Sequence, residues 1–166
     1  LRSKTIGIIG LGSIGREVAR RARGFETRMV AMDPYVSSQT AADLGIELVS
    51  LNQLYKEADY ITLHMALTPE TQGMINDAAI AKMKQGVRIV NCARGELIDP
   101  AALAKGLESG KVGGAALDVF QTEPAKESPL FGTPNFICTP HLGASTNEAQ
   151  VNVALQVAEQ MADFLV

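Results

Sequence analysis

Short apolar runs alternate with amphipathic stretches from one end of this 166-residue sequence to the other. The runs fall at Thr5–Ile9, Arg28–Met32, 47–49 (the weakest), Tyr60–Leu63, Val87–Asn91, 113–117 and Phe136–Cys138. Parallel strands covered on both faces read as near-continuous apolar runs, and each needs a helical crossover to reach the next. The alternation therefore predicts βαβ units and an α/β fold: a doubly wound, mostly parallel sheet between two helix layers. With 166 residues and 46% hydrophobic content, the chain suits one well-packed domain rather than two.

The crossovers have legible ends. Ile14, Val18, Ala22 and Phe25 form one apolar stripe at helical spacing. "SLNQ" at 50–53 and "STNE" at 145–148 have the capping-box pattern. Asp99-Pro100 reads as an N-cap followed by proline at the first helical position, with Gly110 as the stop. The last helix places Ala149, Val153, Val157 and Met161 on one face, to pack internally or on a partner. The stretch 120–135 holds Pro124, Pro129 and Pro134, and a loop that long in a compact domain is usually functional or mobile.

Composition removes several classes of function. The net charge is −3 with the two signs mixed along the chain, so no basic patch suits a nucleic acid. No apolar run approaches a membrane span, and no signal peptide is expected. Cys92 and Cys138 sit in apolar contexts and are expected as buried, reduced thiols of a cytoplasmic protein. The chain opens at Leu1, without an initiator methionine, and its first strand follows almost at once; it is expected to be one domain of a longer protein.

"IGIIGLGSIGREVARR" sets Gly10, Gly12 and Gly15 after the first strand and at the mouth of a helix. In such a turn the first glycine permits the bend, the second admits a pyrophosphate and the third lets helix and strand pack closely. The helix start then offers free N–H groups to phosphate. Asp33 ends the second strand eighteen residues past Gly15, where a carboxylate accepts from ribose hydroxyls and repels a 2′-phosphate. The expected cofactor is NAD, on a Rossmann-type domain. Arg16, Arg20 and Arg23 are read as a solvated helix face.

Further polar residues follow the other strands: His64, then Cys92-Ala93-Arg94, then Asp118 with Glu123, then His141. Ligands of a doubly wound sheet bind outside the carboxyl ends of its strands, so Asp33, Arg94, Asp118, Glu123 and His141 would gather on one edge. A histidine can exchange a proton with a substrate hydroxyl, a carboxylate beside it orients the ring, and an arginine grips a substrate carboxylate at two points. That set suits a 2-hydroxy-acid dehydrogenase and calls for no metal. His64 lacks an acidic neighbour in sequence and is read as structural.

"GLGSIGREVA", "GVRIVNCARGELID", "GGAALDVFQTEP" and above all "PHLGASTNEAQ" resemble the nucleotide-binding domain of the D-isomer-specific 2-hydroxyacid dehydrogenases, over essentially the whole chain. The resemblance implies that Arg94 holds the substrate carboxylate, His141 is the acid/base and Glu123 tunes it. Asp118 would meet the nicotinamide end of NAD, while Ser13, Ile14, Cys92, Ala93 and Gly143 line the cleft. It also implies a small 2-hydroxy or 2-keto acid substrate and a homo-oligomeric full-length protein. An NAD-sensing corepressor of the same fold is the alternative outside enzymology. "HMALTPETQG" departs from the family, with Met65-Ala66 where a small or β-branched residue and a proline are common.

Overall fold

A computed structural model of the chain describes residues 1–143 and 145–165. All the expected strands form: β1 (Thr5–Ile9), β2 (Arg28–Met32), β3 (Glu47–Leu48), β4 (Tyr60–Leu63), β5 (Val87–Asn91), β6 (Val112–Leu117) and β7 (Phe136–Cys138). They make one parallel sheet in the order β3-β2-β1-β4-β5-β6-β7. The helices are α1 (Ser13–Ala22), α2 (Ser38–Asp43), α3 (Leu51–Glu57), α4 (Asp77–Lys82), α5 (Pro100–Glu108) and α6 (Asn147–Leu165). No helix among the described residues is long and apolar enough to cross a membrane.

The strand residues divide between two helix layers. Ile9, Val30, Ile61, Leu63 and Ile89 pack with Leu54, Ile80, Leu103 and Leu107 of α3, α4 and α5. Ile6, Ile8, Met29 and Ala31 pack on the opposite face with Ala19, Ala22 and Ala41 of α1 and α2. Ile8, Ile9, Ile61 and Leu63 along the β1–β4 seam are all at 0% exposure. At about 1.5–3 kcal/mol for each fully buried side chain, that seam is the rigid centre of the sheet. The order also changes direction there, with the chain leaving β1 toward β2 and returning to β4, which opens the crevice a dinucleotide uses. The second layer thins toward β7, where Ile137 is 71% exposed.

Several helix details differ from expectation. α1 turns Gly15, Ala19 and Ala22 to the sheet, while Ile14 (65% exposed) and Phe25 point outward. Only small residues let this helix approach β1 closely, so the bulky stripe is displaced from the contact. Ser50 caps α3 through the Gln53 N–H at 3.2 Å, but the Gln53 amide turns to Glu57 instead of returning to the cap. Asp99 caps α5 through Ala101 and Ala102, and Gly110 closes it at φ +71°, as expected. α6 starts at Asn147, with Thr146 Oγ1 accepting from Ala149 N at 3.1 Å. Ser145 is not the cap, because its hydroxyl turns to the His141 carbonyl oxygen. No residue of α6 is buried, so Val153, Val157 and Met161 do not pack internally. Cys92 and Cys138 are free but exposed, not buried, because both lie where the strands end and the cleft opens.

Candidate functional site

The glycine turn is built by contacts across the β1–β4 seam. Gly10 has φ +96°, and a β-carbon there would lie 2.7 Å from the His64 carbonyl oxygen. A β-carbon on Gly15 would lie 2.1 Å from the Gly10 carbonyl oxygen, so only glycine lets α1 begin this close to the strand. At Gly12, by contrast, a β-carbon would meet nothing within 4 Å. That open space sits at the start of α1, where no side chain caps the helix and Ser13 and Ile14 form the exposed first turn. An open, uncapped helix start of this kind can receive a phosphate.

Asp33 braces this turn. Its Oδ2 accepts from Leu11 N at 2.7 Å and its Oδ1 from Tyr35 N at 2.8 Å. Each carboxylate oxygen keeps a further lone pair, so the residue can still accept from a ribose hydroxyl. His64 supports the turn from β4: its N–H donates to the Ile9 carbonyl, and its Nε2 shares a 3.0 Å hydrogen bond with the Thr62 hydroxyl. Burial holds its pKa below the usual 6.5, so the ring is neutral.

After β5 the chain turns through Cys92, Ala93 and Arg94. Asn91, at 0% exposure, organises that turn: its Oδ1 accepts from Ala93 N at 3.0 Å and its Nδ2 donates to the Arg94 carbonyl at 2.9 Å. Arg94 itself is exposed, and one of its guanidinium nitrogens donates to the Ala93 carbonyl at 2.6 Å. Although Cys92 has an exposed edge, desolvation by the protein around its sulfur first, and then the Asp118 charge, push the thiol up, so it is uncharged near neutral pH.

Asp118 is buried at the end of β6 and faces the His141 turn. One oxygen accepts from the Thr139 hydroxyl and from Leu142 N at 2.8 Å; the other accepts from Gly143 N at 3.1 Å. Burial opposes its ionisation, but these donors, with a smaller pull from His141, outweigh it and hold the carboxyl below its ordinary value. His141 sits at φ +57°, a conformation uncommon for a residue with a side chain. Such strain persists where surrounding bonds over-determine it, and Asp118 supplies those bonds. Glu123 completes the arrangement: its Oε2 lies 2.6 Å from His141 Nδ1, and its Oε1 accepts from Phe120 N at 2.9 Å. His141 first, then the Phe120 N–H, hold the Glu123 carboxyl below its ordinary value. Arg94, Glu123 and His141 line one cleft with Val119 and Phe120.

The sequence matches the family described as D-isomer specific 2-hydroxyacid dehydrogenase, NAD binding domain, over residues 1–143. This chain belongs to that family. It is 52% identical over 162 residues to D-3-phosphoglycerate dehydrogenase of Synechocystis, covering 98% of this chain and 29% of the relative. It is 50% identical over 164 residues to the enzyme of the same name from Bacillus subtilis, covering 99% of this chain and 31% of the relative. The chain thus spans about a third of the length of the curated relatives it matches. Among solved structures, a glyoxylate reductase from Paecilomyes thermophila superposes with a TM-score of 0.90 at 42% identity, covering 97% of this chain and 49% of that one. The apo D-lactate dehydrogenase from Escherichia coli gives 0.86 at 38%, covering 98% and 51%. The cofactor of this domain is NAD, as the glycine turn and Asp33 led one to expect.

Asn91 and Thr139 escaped the sequence reading. The signal for Asn91 was a polar residue closing the strand directly after the apolar pair Ile89-Val90. The Asp118 carboxylate, expected at the nicotinamide end of the cleft, is here committed to the backbone of the His141 turn.

Proposed function

We propose that the chain is the cofactor-binding and proton-transferring domain of a D-3-phosphoglycerate dehydrogenase, oxidising 3-phospho-D-glycerate to 3-phosphohydroxypyruvate, the first step of phosphorylated L-serine biosynthesis. The observation that carries the dehydrogenase reading is the 2.6 Å contact of His141 Nδ1 with Glu123, in a cleft shared with Arg94. The substrate follows from relatives of that name at about half identity over nearly the whole chain.

The glycine turn and the first turn of α1 would hold the pyrophosphate of NAD, and Asp33 its adenosine ribose. When bound, NAD+ supplies the hydride acceptor. Because Nδ1 of His141 faces Glu123, Nε2 is left to take the proton of the C2 hydroxyl. Glu123 fixes the ring's orientation and favours the imidazolium that results. Arg94 grips the substrate carboxylate and polarises the adjacent carbon–oxygen bond. The family resemblance supports placing Cys92, Ala93 and Gly143 along the NAD cleft, and Asp118 holds the His141 turn through Leu142 and Gly143. The full-length protein is proposed to be a cytoplasmic homo-oligomer, in which residues outside this chain meet the substrate phosphate.

A second reading, a dehydrogenase for another 2-hydroxy acid, draws on the likeness to the glyoxylate reductase and D-lactate dehydrogenase structures. NADH production by the full-length protein, offered 3-phosphoglycerate, D-lactate and glycerate in turn, separates the two. Production only from 3-phosphoglycerate is the expected outcome; no NADH from any of the three would leave the corepressor reading. The 166 residues alone should bind NAD yet turn over poorly. His141→Asn in the full-length protein should abolish turnover and spare NAD binding, and retained turnover removes the acid/base role.

A further inference from the structure

Two segments carry the site: the turn after β5 with Arg94, and the loop after β6 with Glu123. Nothing covalent fixes their separation, yet the proposed reaction needs Arg94 and the His141–Glu123 pair held at one spacing. Gly95 is where the segments touch. It is buried and opens the short 3-10 turn Gly95–Leu97. A β-carbon there would lie 2.0 Å from the Phe120 carbonyl carbon, 2.3 Å from the Phe120 oxygen and 2.5 Å from the Gln121 nitrogen. All three are backbone atoms, so no side chain can swing aside to make room.

The same seam is strapped from the other side, where Gln121 Nε2 donates to the Ile98 carbonyl at 3.2 Å. Phe120, whose carbonyl Gly95 abuts, also gives its N–H to Glu123 Oε1 and sets its ring edge-on to Phe131 at 5.7 Å. A continuous path therefore runs from Arg94 through Gly95 and the Phe120 peptide to Glu123 and on to His141.

We infer that Gly95 is a positioning residue: its bare α-carbon lets the Arg94 turn and the Glu123 loop share one seam, and that seam sets the spacing between Arg94 and the His141–Glu123 pair. Any larger residue displaces the Phe120–Gln121 peptide; through the Phe120 α-carbon this turns the preceding peptide, withdraws the Phe120 N–H from Glu123 and moves the carboxylate relative to His141. The inference rests on the proposed function only for its catalytic consequence, because the mechanical link can be read without turnover.

The test is a carbon-13 titration of the Glu123 carboxyl in the wild-type chain and in Gly95→Ala, with Asp59 as the internal reference, since it sits before β4 and accepts from Thr5 N and Lys84 Nζ. In the variant, the Glu123 midpoint should move up toward the ordinary glutamate range while that of Asp59 stays in place. A general loss of stability would shift the melting temperature and leave the Glu123 midpoint where it was. Gln121→Ala loosens the same seam without adding an atom and should move Glu123 in the same direction, by less. An unmoved Glu123 midpoint in folded Gly95→Ala overturns the inference; should that variant not fold, an unmoved midpoint in Gln121→Ala does so. In the full-length protein, Gly95→Ala should lower kcat/KM on the order of a hundredfold, the effect of misplacing reacting groups by about 1 Å, with NAD affinity unchanged. A moved midpoint without any wild-type turnover would refute the reaction and keep the link.

Discussion

Replacing Asp118 with asparagine takes the charge out of the bonds that hold the His141 turn. The carboxylate accepts from Thr139, Leu142 and Gly143. An asparagine oxygen can keep the first two, but its amide group then faces the Gly143 N–H, donor against donor. One charge-assisted bond is lost, at about 1.5–3 kcal/mol, and two more weaken by roughly half. With Asp118 only 7% exposed, water replaces little of this, and the gross cost is about 3–6 kcal/mol. Releasing His141 from its positive φ returns about 1–2 kcal/mol. The net, about 2–4 kcal/mol, raises the opening equilibrium of the turn roughly thirty- to several-hundredfold.

Native-state hydrogen exchange reads this directly. The Leu142 and Gly143 amides should lose that much protection, while the Ile89 amide at the centre of the sheet keeps its own. Unchanged protection at Leu142 and Gly143 would refute the reasoning, and equal loss at Ile89 would show that Asp118 stabilises the whole domain instead. The pH dependence has a definite sign. The carboxyl is held below its ordinary 3.8, so its contribution is fully present above that pH and is lost as pH falls through the lower folded value. The gap between wild type and variant should therefore close in acid.

Two further outcomes are expected. The half-buried ring of His64 has a pKa depressed below 6.5, so its contribution to stability is full above that pH and declines as pH falls toward the folded value; His64→Gln should flatten this acid slope in urea midpoints measured on either side of 6.5. Asp33→Ala should weaken NAD binding by about tenfold, or 1.4 kcal/mol, and narrow the preference over NADP, both measured by calorimetry; undiminished preference would place the discrimination elsewhere.

The strands were legible because parallel strands buried on both faces are apolar almost throughout, as in the fully buried "TIGII". The convergence of Arg94, Glu123 and His141 was legible for a topological reason, since each follows the carboxyl end of a strand in one sheet. The short helices α2 and α4 were not, being six residues each and built mainly of small and polar side chains. The facing of α1 was misread because its contact with the sheet is made by Gly15, Ala19 and Ala22, which carry little hydrophobic signal. The partners of Asn91, Gly95 and Asp118 were hidden for another reason. Each acts on backbone atoms, Asn91 within its own turn and Gly95 and Asp118 across to another segment, and backbone contacts leave no periodicity in a sequence.

The strand order has one more consequence. The glycine turn follows β1, flanked by β2 and β4, whereas His141 follows β7, a three-residue strand that among the described residues pairs with β6 alone. Marginal strands fray at lower free-energy cost than central ones. The two halves of the proposed chemistry therefore sit on supports of unequal stiffness, the hydride acceptor on the anvil and the proton carrier on the rim. Gentle heating should free the His141 turn while the glycine turn still keeps its shape.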